Sequence, residues 1–242
     1  MKFSVLMNTY NRARLLKFAL LSYLRQSEGD FEIIVADDGS TDDTEMIIDT
    51  FKKNAPFKVK YVHQEHKGHR RAAILNRGIE QCDGDYILFT DCDSLAMQNL
   101  IEIHRNNAKA KPDRMLCGGY VRLSQKVTET LSEEDVRTGA FEKLFSNRLR
   151  RVALRKHIKA QWQILIKRRR RPHNMGLNYS VSTKALYKIN GYDEYFKGWG
   201  SADGDVRERL RTIGVTPASL YNSAIVLHMG IPQKKPSLIM KI

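Results

Sequence analysis

The sequence predicts an α/β protein, a mostly parallel central sheet with helices on both faces. Three observations predict it. Apolar strand-like runs alternate with stretches of helical periodicity through the first half of the chain. The connections between them are short, as βα units require. Polar clusters stand at the ends of three of the strand-like runs, and in such sheets the carboxyl ends of the strands are where ligands bind.

Each element follows from its residues. FSVLMNT (3–9) reads as a buried strand. RLLKFALLSYLRQS (14–27) places Leu16, Ala19, Leu20, Tyr23 and Leu24 at helical spacing. FEIIVADD (31–38) returns to strand and ends in acids, and TDDTEMIIDTFKK (41–53) is helical, with Asp42 and Glu45 spaced for a capping box. FKVKYVH (57–63) is a short strand, RRAAILNRGIEQC (70–82) a helix and YILFT (86–90) a strand. LAMQNLIEIHRNNAKA (95–110) completes the series as a helix stopped by Pro112. No internal repeat or Gly/Ser linker interrupts the chain, so 1–242 reads as one domain.

Composition bounds the function. At 242 residues and 42% hydrophobic the chain can bury a sizeable core. No apolar run nears the roughly 18 residues of a membrane span, and the apolar stretch before Asn8 is too short for the core of a secretory signal. Cys82, Cys92 and Cys117 form no CxxC pair, which argues against a disulfide framework or zinc site and for a reducing cytoplasm. Net charge is +14, yet eleven of the 41 basic residues lie between Arg148 and Arg171 with no acid among them. The remainder holds 30 basic against 27 acidic residues, so the basic segment alone implies an anionic partner.

The clusters admit two readings each. Asp91-Cys92-Asp93 after the 86–90 strand is either punctuation, with Asp93 or Ser94 capping the next helix, or a pair of hard-metal ligands suited to Mg²⁺ or Mn²⁺. Asp37-Asp38-Gly39-Ser40 is a turn and cap, with Gly39 at the wrong offset for a calcium loop. Thr9-Tyr10-Asn11 forms the third cluster. His63, His66 and His69 lie in a Gly-containing loop without thiolates and read as solvated or phosphate-facing. In the basic segment, Leu154, Ile158, Trp162 and Leu165 recur at helical spacing beside a row of Arg148, Arg151, Arg155 and Lys159, and five cations follow. That pattern is a solvated helix face, a nucleic-acid contact or a basic amphipathic helix (148–171) lying on an anionic membrane. No nucleic-acid-binding motif accompanies it, so the membrane or an anionic lipid-linked substrate is expected and nucleic acid is not.

Together these stretches resemble the family 2 glycosyltransferases, inverting enzymes of the GT-A fold. VLMNTYNRARLL is similar to their first strand and turn, IIVADDGSTDDT to their second, and HKGHRRAAILNRGIEQCDGDYILFTDCDS to the Gly-x-x-x-Ala-x-x-Asn helix leading to their DxD strand. The Arg that usually precedes that Asn is Leu75 here, which leaves its donor contact to Arg70 or Arg71. NMGLNYSVSTKALYKINGYDEYFKGWGSADGDVRERL (174–210) resembles the carboxyl-terminal galactosyltransferase motif. Its Asp is kept as Asp203, and the Glu before it is Ala202.

The resemblance implies an α-linked UDP-sugar donor, a Mn²⁺ or Mg²⁺ ion and a β-linked product. Asp93 and His228, with Asp91 on metal-bound water or ribose, would hold the metal. Thr9, Tyr10, Asn11, Asp38 and Arg70 would line the donor pocket, Asp38 accepting from the uracil N–H. Asp203 would be the catalytic base, ahead of Asp205, and Trp199, Gly200 and Ala202 would meet the acceptor. The expected function is hexose or N-acetylhexosamine transfer to a lipid-linked saccharide, for surface polysaccharide or lipopolysaccharide, by a peripheral protein on the inner face of the cell membrane. The alternatives are a nucleic-acid-binding α/β protein using the basic segment, and a non-catalytic sugar-binding relative suggested by Ala202.

Overall fold

The computed structural model describes residues 1–168, 172, 176–196 and 201–231. Four parallel strands open it: β1 (Phe3–Thr9), β2 (Phe31–Asp37), β3 (Lys58–His63) and β4 (Tyr86–Asp91), lying side by side as β3-β2-β1-β4. They are connected by α1 (Ala13–Tyr23), α2 (Thr44–Asn54) and α3 (Arg71–Glu80). The chain continues through β5 (Ser94–Ala96), α4 (Leu100–Ala110), β6 (Arg114–Arg122), α5 (Gln125–Thr130), α6 (Glu133–Thr138) and α7 (Asn147–Leu165). It ends in β7 (Tyr179–Ser182), α8 (Thr183–Lys188), α9 (Ala202–Thr212) and β8 (Thr216–His228). The sheet thereby grows to eight strands, with β7, β6, β8 and β5 following β4. β7 is antiparallel to both its neighbours, β8 runs parallel to β6, and β5 is antiparallel to β8.

Alternation along the strands feeds two apolar layers. Val5, Met7, Ile33, Val35 and Leu88 face α1, α2 and α4. Leu6, Ile34, Ala36, Ile87 and Phe89 face α3, α8 and α9. A strand buried on both faces is apolar throughout, which is why these runs show no polar alternation.

Two local expectations are corrected. The stretch from Leu95 is not helical at its start: Ser94–Ala96 pairs antiparallel with β8, and α4 begins only at Leu100. Neither Asp93 nor Ser94 therefore caps a helix, because the next element is a strand. The capping box at Asp42 and Glu45 does not form either. Asp42 instead accepts from Thr44 within its own turn and from the Ala13 N–H at 2.9 Å, which ties the start of α2 to the start of α1.

The second half hangs on one polar hub. Asn178 donates to the Gly119 carbonyl at 2.8 Å and the Ala224 carbonyl at 3.0 Å, bridging β6 and β8. Its Oδ1 then faces His104 Nε2 at 3.1 Å, and Ser180 Oγ meets His104 Nδ1 at 2.8 Å. This arrangement fixes the neutral tautomer with its proton on Nε2. Burial pushes His104 down to about 4, with Asn178 opposing. Above pH 6.5 the ring is neutral in both folded and unfolded chains. As pH falls from 6.5 toward 4 the unfolded chain takes up a proton that the folded one refuses. Urea unfolding from pH 7 to pH 4 should therefore show a loss of about 3 kcal/mol in wild type that is absent in His104→Gln. Parallel pH profiles for the two would refute a buried neutral His104.

Candidate active site

The parallel strands deliver their carboxyl ends to one edge, with Thr9 opposite Asp37 and Asn8 opposite Asp91. Behind that edge the two acids of the 37–38 pair divide their work. Asp37 is fully buried, accepting from Ser40 N–H at 3.0 Å and from the Tyr61 hydroxyl at 2.7 Å. Asp38 is buried beside it, where it accepts from Gln64 Nε2 at 2.5 Å and from the Arg70 N–H at 3.0 Å. Gly39 adopts φ +86°, and a Cβ there would lie 2.5 Å from the His66 nitrogen, so only glycine fits. Asn11, at φ +47°, accepts from Thr41 N–H and laces the β1 loop to the β2 loop. Thr9 is buried at the strand end. Tyr10 stacks on His66 at 4.2 Å with an 11° interplanar angle, making a partly exposed aromatic platform beside Asp38.

At the centre Arg71 stands between two carboxylates. Its Nη1 lies 3.3 Å from Asp203 Oδ1, and its Nη2 lies 3.6 Å from Asp91 Oδ1. Burial works against the guanidinium charge, but Asp203 and Asp91 more than offset it. Burial likewise pushes Asp91 up to about 6, with Arg71 opposing and Asp93 and Asp203 adding to the rise. The Tyr192 hydroxyl donates to Asp203 Oδ1 at 2.9 Å, and Tyr179 hydrogen-bonds to Tyr192 in turn. Both phenols are held protonated, first by burial and next by the Asp203 charge. Phe89 stacks on Tyr179 at 4.6 Å and meets Tyr192 edge-on, so the relay is clamped in the core. Gly176 lies close against the cluster, where a Cβ would come within 2.7 Å of Asp203 Oδ2.

Asp93 and His228 meet at the end of β8, His228 Nε2 lying 3.5 Å from Asp93 Oδ1. That oxygen is buried and has no hydrogen-bond partner, while Asp93 Oδ2 is 3.8 Å from Arg12 Nη1. An orphaned carboxylate oxygen beside an imidazole nitrogen fits a divalent ion that takes its remaining ligands from phosphate and water. Of the three expected ligands, Asp93 and His228 come together and Asp91 turns to Arg71. Among the described residues no group of three His, Cys, Asp or Glu side chains converges as a metal cage. Cys92, between the two acids, is buried and its thiol is pushed up to about 12, so it is an inert neighbour.

Arg70, expected in the donor pocket, uses Nη2 on the Glu65 carbonyl at 2.6 Å and closes the loop under Asp38. Arg71 is the cation that enters the centre. Asp205 pairs with Arg209 one turn along α9, as a helix-start residue does. Ala202 opens α9 and packs against the inner layer, after Ser201 at φ +65°. Trp199 and Gly200 lie outside the described residues. Sequence reasoning missed Tyr192, Tyr179 and Gln64 because each looks like an ordinary core or loop residue until the chain brings it to a carboxylate. Gly191-Tyr192-Asp193-Glu194 in the galactosyltransferase-like motif was the available signal for Tyr192.

The glycosyl transferase family 2 model matches residues 4–182, and the model for the N-terminal domain of galactosyltransferase matches residues 156–229. Validoxylamine A glucosyltransferase of Streptomyces hygroscopicus subsp. jinggangensis is 31% identical over 231 residues, covering 88% of this chain and 52% of that protein. Chondroitin synthase of Escherichia coli is 24% identical over 251 residues, covering 96% of this chain and 35% of that protein. The chain thus spans about half the length, or less, of these curated relatives. Staphylococcus aureus TarS 1–349 in complex with UDP-GlcNAc superposes with a TM-score of 0.66 at 17% identity, covering 96% of this chain and 59% of that one. A Pyrobaculum calidifontis mannosyltransferase in complex with GDP-Man and Mn²⁺ gives 0.65 at 17%, covering 96% and 58%. These likenesses show the GT-A fold.

The cluster makes a stability prediction of its own. Arg71→Gln leaves Asp91 and Asp203 without their shared cation and should destabilise by about 2 kcal/mol at pH 8, below the cost of a fully buried pair because the site is partly open. At pH 5 the loss should shrink, since Asp91 takes up a proton there and the repulsion is relieved. Urea midpoints of the two proteins at both pH values decide it, and equal losses would show that Arg71 does not compensate these acids.

Proposed function

The chain belongs to glycosyl transferase family 2, and from that membership we propose that it is a metal-assisted, inverting enzyme moving a hexose or N-acetylhexosamine from a UDP-sugar to a lipid-linked saccharide in surface polysaccharide or lipopolysaccharide assembly. The observation that carries this reading is the convergence, at one sheet edge, of Asp203 and the Asp93–His228 pair, linked through Arg71 and Asp91. Two proteins similar in fold are complexed with UDP-GlcNAc and with GDP-Man and Mn²⁺, which supports a nucleotide-sugar donor.

In this reading the uracil rests on the Tyr10–His66 platform and gives its N–H to Asp38, which retains acceptor capacity beyond its two donors. Thr9 and Asn11 line the same pocket, Asp91 reaches the ribose, and Arg71 rather than Arg70 supplies the central positive charge. Asp93 and His228 would hold Mn²⁺ or Mg²⁺, which when bound neutralises charge on the leaving diphosphate. Asp203 takes the proton of the acceptor hydroxyl. Tyr192 fixes Oδ1 of that carboxylate, and lone pairs remain for the hydroxyl. Attack from the face opposite the diphosphate inverts the anomeric carbon. Trp199, Gly200 and Ala202 would border the acceptor, and 1–242 would act as one catalytic unit.

Among the described residues no helix is long and apolar enough to cross a membrane. α7 supports attachment at the cytoplasmic face instead. It buries Ala153, Ala160 and Gln163 and exposes the large apolar row: Leu154 is 46% exposed, Ile158 59%, Trp162 56% and Leu165 78%. Arg148, Arg151, Arg155 and Lys159 are exposed beside that row, and Arg169–Arg171 lie outside the described residues. Exposed apolar side chains with flanking cations suit a surface of anionic lipid.

Two measurements test these statements. Calorimetric titration of UDP should give binding at least tenfold tighter with Mn²⁺ than without, and Asp93→Ala should abolish the difference. Absence of UDP binding under either condition would remove the donor reading. In flotation assays the protein should follow phosphatidylglycerol-containing vesicles but not pure phosphatidylcholine, and Ile158→Ser with Trp162→Ser should cut the bound fraction more than tenfold. Salt-sensitive RNA binding without vesicle binding would favour a nucleic-acid partner instead.

A further inference from the structure

A groove of ≈ 470 Å³ lies between the end of β6, the first half of α7 and Tyr221 of β8. That volume is within the usual range for a small-molecule site, roughly 300–1,000 Å³. Its walls are largely apolar, with Leu149, Val152 and Ala153 on the helix side. Across it two cations from different elements converge on one ring. Arg122 Cζ lies 5.9 Å and Lys156 Nζ 5.8 Å from the centre of Tyr120. Among the described residues neither forms an ion pair with a carboxylate, although most cations of the central site do. Both side chains are exposed and lie within about 6 Å of the same ring centre, so an anion brought against that ring meets two positive charges rather than one.

The groove is also placed for the acceptor. Arg122 is the register partner of His228, and Tyr120 meets the His228 ring edge-on at 6.5 Å, so one end abuts the candidate metal pair. The groove opens on the flank of α7, the helix whose outer face carries the exposed apolar row. A membrane meeting that row would lie within about one helix diameter, some 10 Å, of the groove. With the row sunk about 5–10 Å into the headgroup–acyl boundary, the groove behind the helix would stand near headgroup level.

We infer that this groove is the seat of the phosphate through which the saccharide acceptor is joined to its lipid carrier. The oxygens lie between Arg122 and Lys156, and the first carbons of the carrier lie against Leu149 and Val152. The inference rests on the lipid-linked reading above and assigns to it a site separate from the donor's. The ligand class is an amphiphilic phosphate ester, not a free anion and not a neutral lipid.

The test uses octyl phosphate, soluble as a monomer, with octanol and inorganic phosphate as comparisons, by calorimetry on the whole protein. Octyl phosphate should bind at least tenfold tighter than either. Arg122→Gln with Lys156→Gln should weaken it at least tenfold while leaving UDP affinity in Mn²⁺ unchanged. Val152→Phe keeps both charges, sits at an exposed position and should block the groove, which preserves the test if the double variant folds poorly. Equal binding of inorganic phosphate or octanol would overturn the inference, as would octyl phosphate binding that ignores both variants. A parallel loss of UDP affinity in the double variant would also overturn it, by giving the cations to the donor. If the wild type binds octyl phosphate in a groove-dependent way but never binds UDP, the donor reading fails and the groove's ligand class stands.

Discussion

Three carboxylates have to be kept at one edge of the sheet, and their mutual repulsion is the constraint to which the rest of the centre answers. Asp91 and Asp93 come from the end of β4, and Asp203 arrives from the first turn of α9, far along the chain. Arg71 lies between Asp91 and Asp203 because α3 begins there, so the first turn of one helix is aimed at the first turn of another. The Tyr179–Tyr192 relay fixes Asp203 from the core side, and the bare backbone of Gly176 lets Arg71 and Asp203 approach. Asp93 is left to Arg12 and His228, with one oxygen unsatisfied. A buried acceptor left without a donor costs free energy in the protein as it stands.

How much of this was legible depends on whether the causes were local. The parallel half was readable because each strand is buried on both faces and each helix carries its own periodicity, so the pattern is written in consecutive residues. Asp91 and Asp93 were visible as a pair, and the helix-cap reading of Asp93 stood until Ser94–Ala96 proved to be strand. That short strand was misjudged because its pairing partner, β8, lies more than a hundred residues later. The same distance hid Tyr192: a tyrosine in a core says nothing of the carboxylate it will meet. Arg70 and Arg71 are neighbours with equal chemistry, and only the start of α3 separates them. The Asp42–Glu45 capping box failed because a tertiary partner, the Ala13 N–H, claimed Asp42.

α7 inverts the usual logic of an amphipathic helix. Its small residues, Ala153 and Ala160, face inward and allow close packing on β8, where His157 also meets Ser219 Oγ at 3.1 Å. Its large apolar residues face out. Periodicity in the sequence reports that one face is apolar but not which face meets the core, so the outward row was expected from Trp162 and the flanking cations rather than from the period alone. An apolar row left to water beside a row of cations is unfavourable for a monomer and favourable for a protein that meets an anionic, apolar-backed surface.

Behind the sheet edge, where Arg71 joins Asp91 to Asp203, the hub at Asn178 makes a second connection within the same sheet. Asn178 draws its bonds from β6, from the β8 strand that ends in His228, and from His104 on α4. Tyr179, the next residue, begins the relay that reaches Asp203. One dipeptide thus touches both the strand that ends in His228 and the relay that reaches Asp203. Loosening the hub would disturb β6, β8 and α4 together, whereas the contacts between the β1 and β2 loops do not run through it. The Asn-x-Ser of the galactosyltransferase-like motif is therefore structural in its contacts: Asn178 and Ser180 are both buried, and both meet His104.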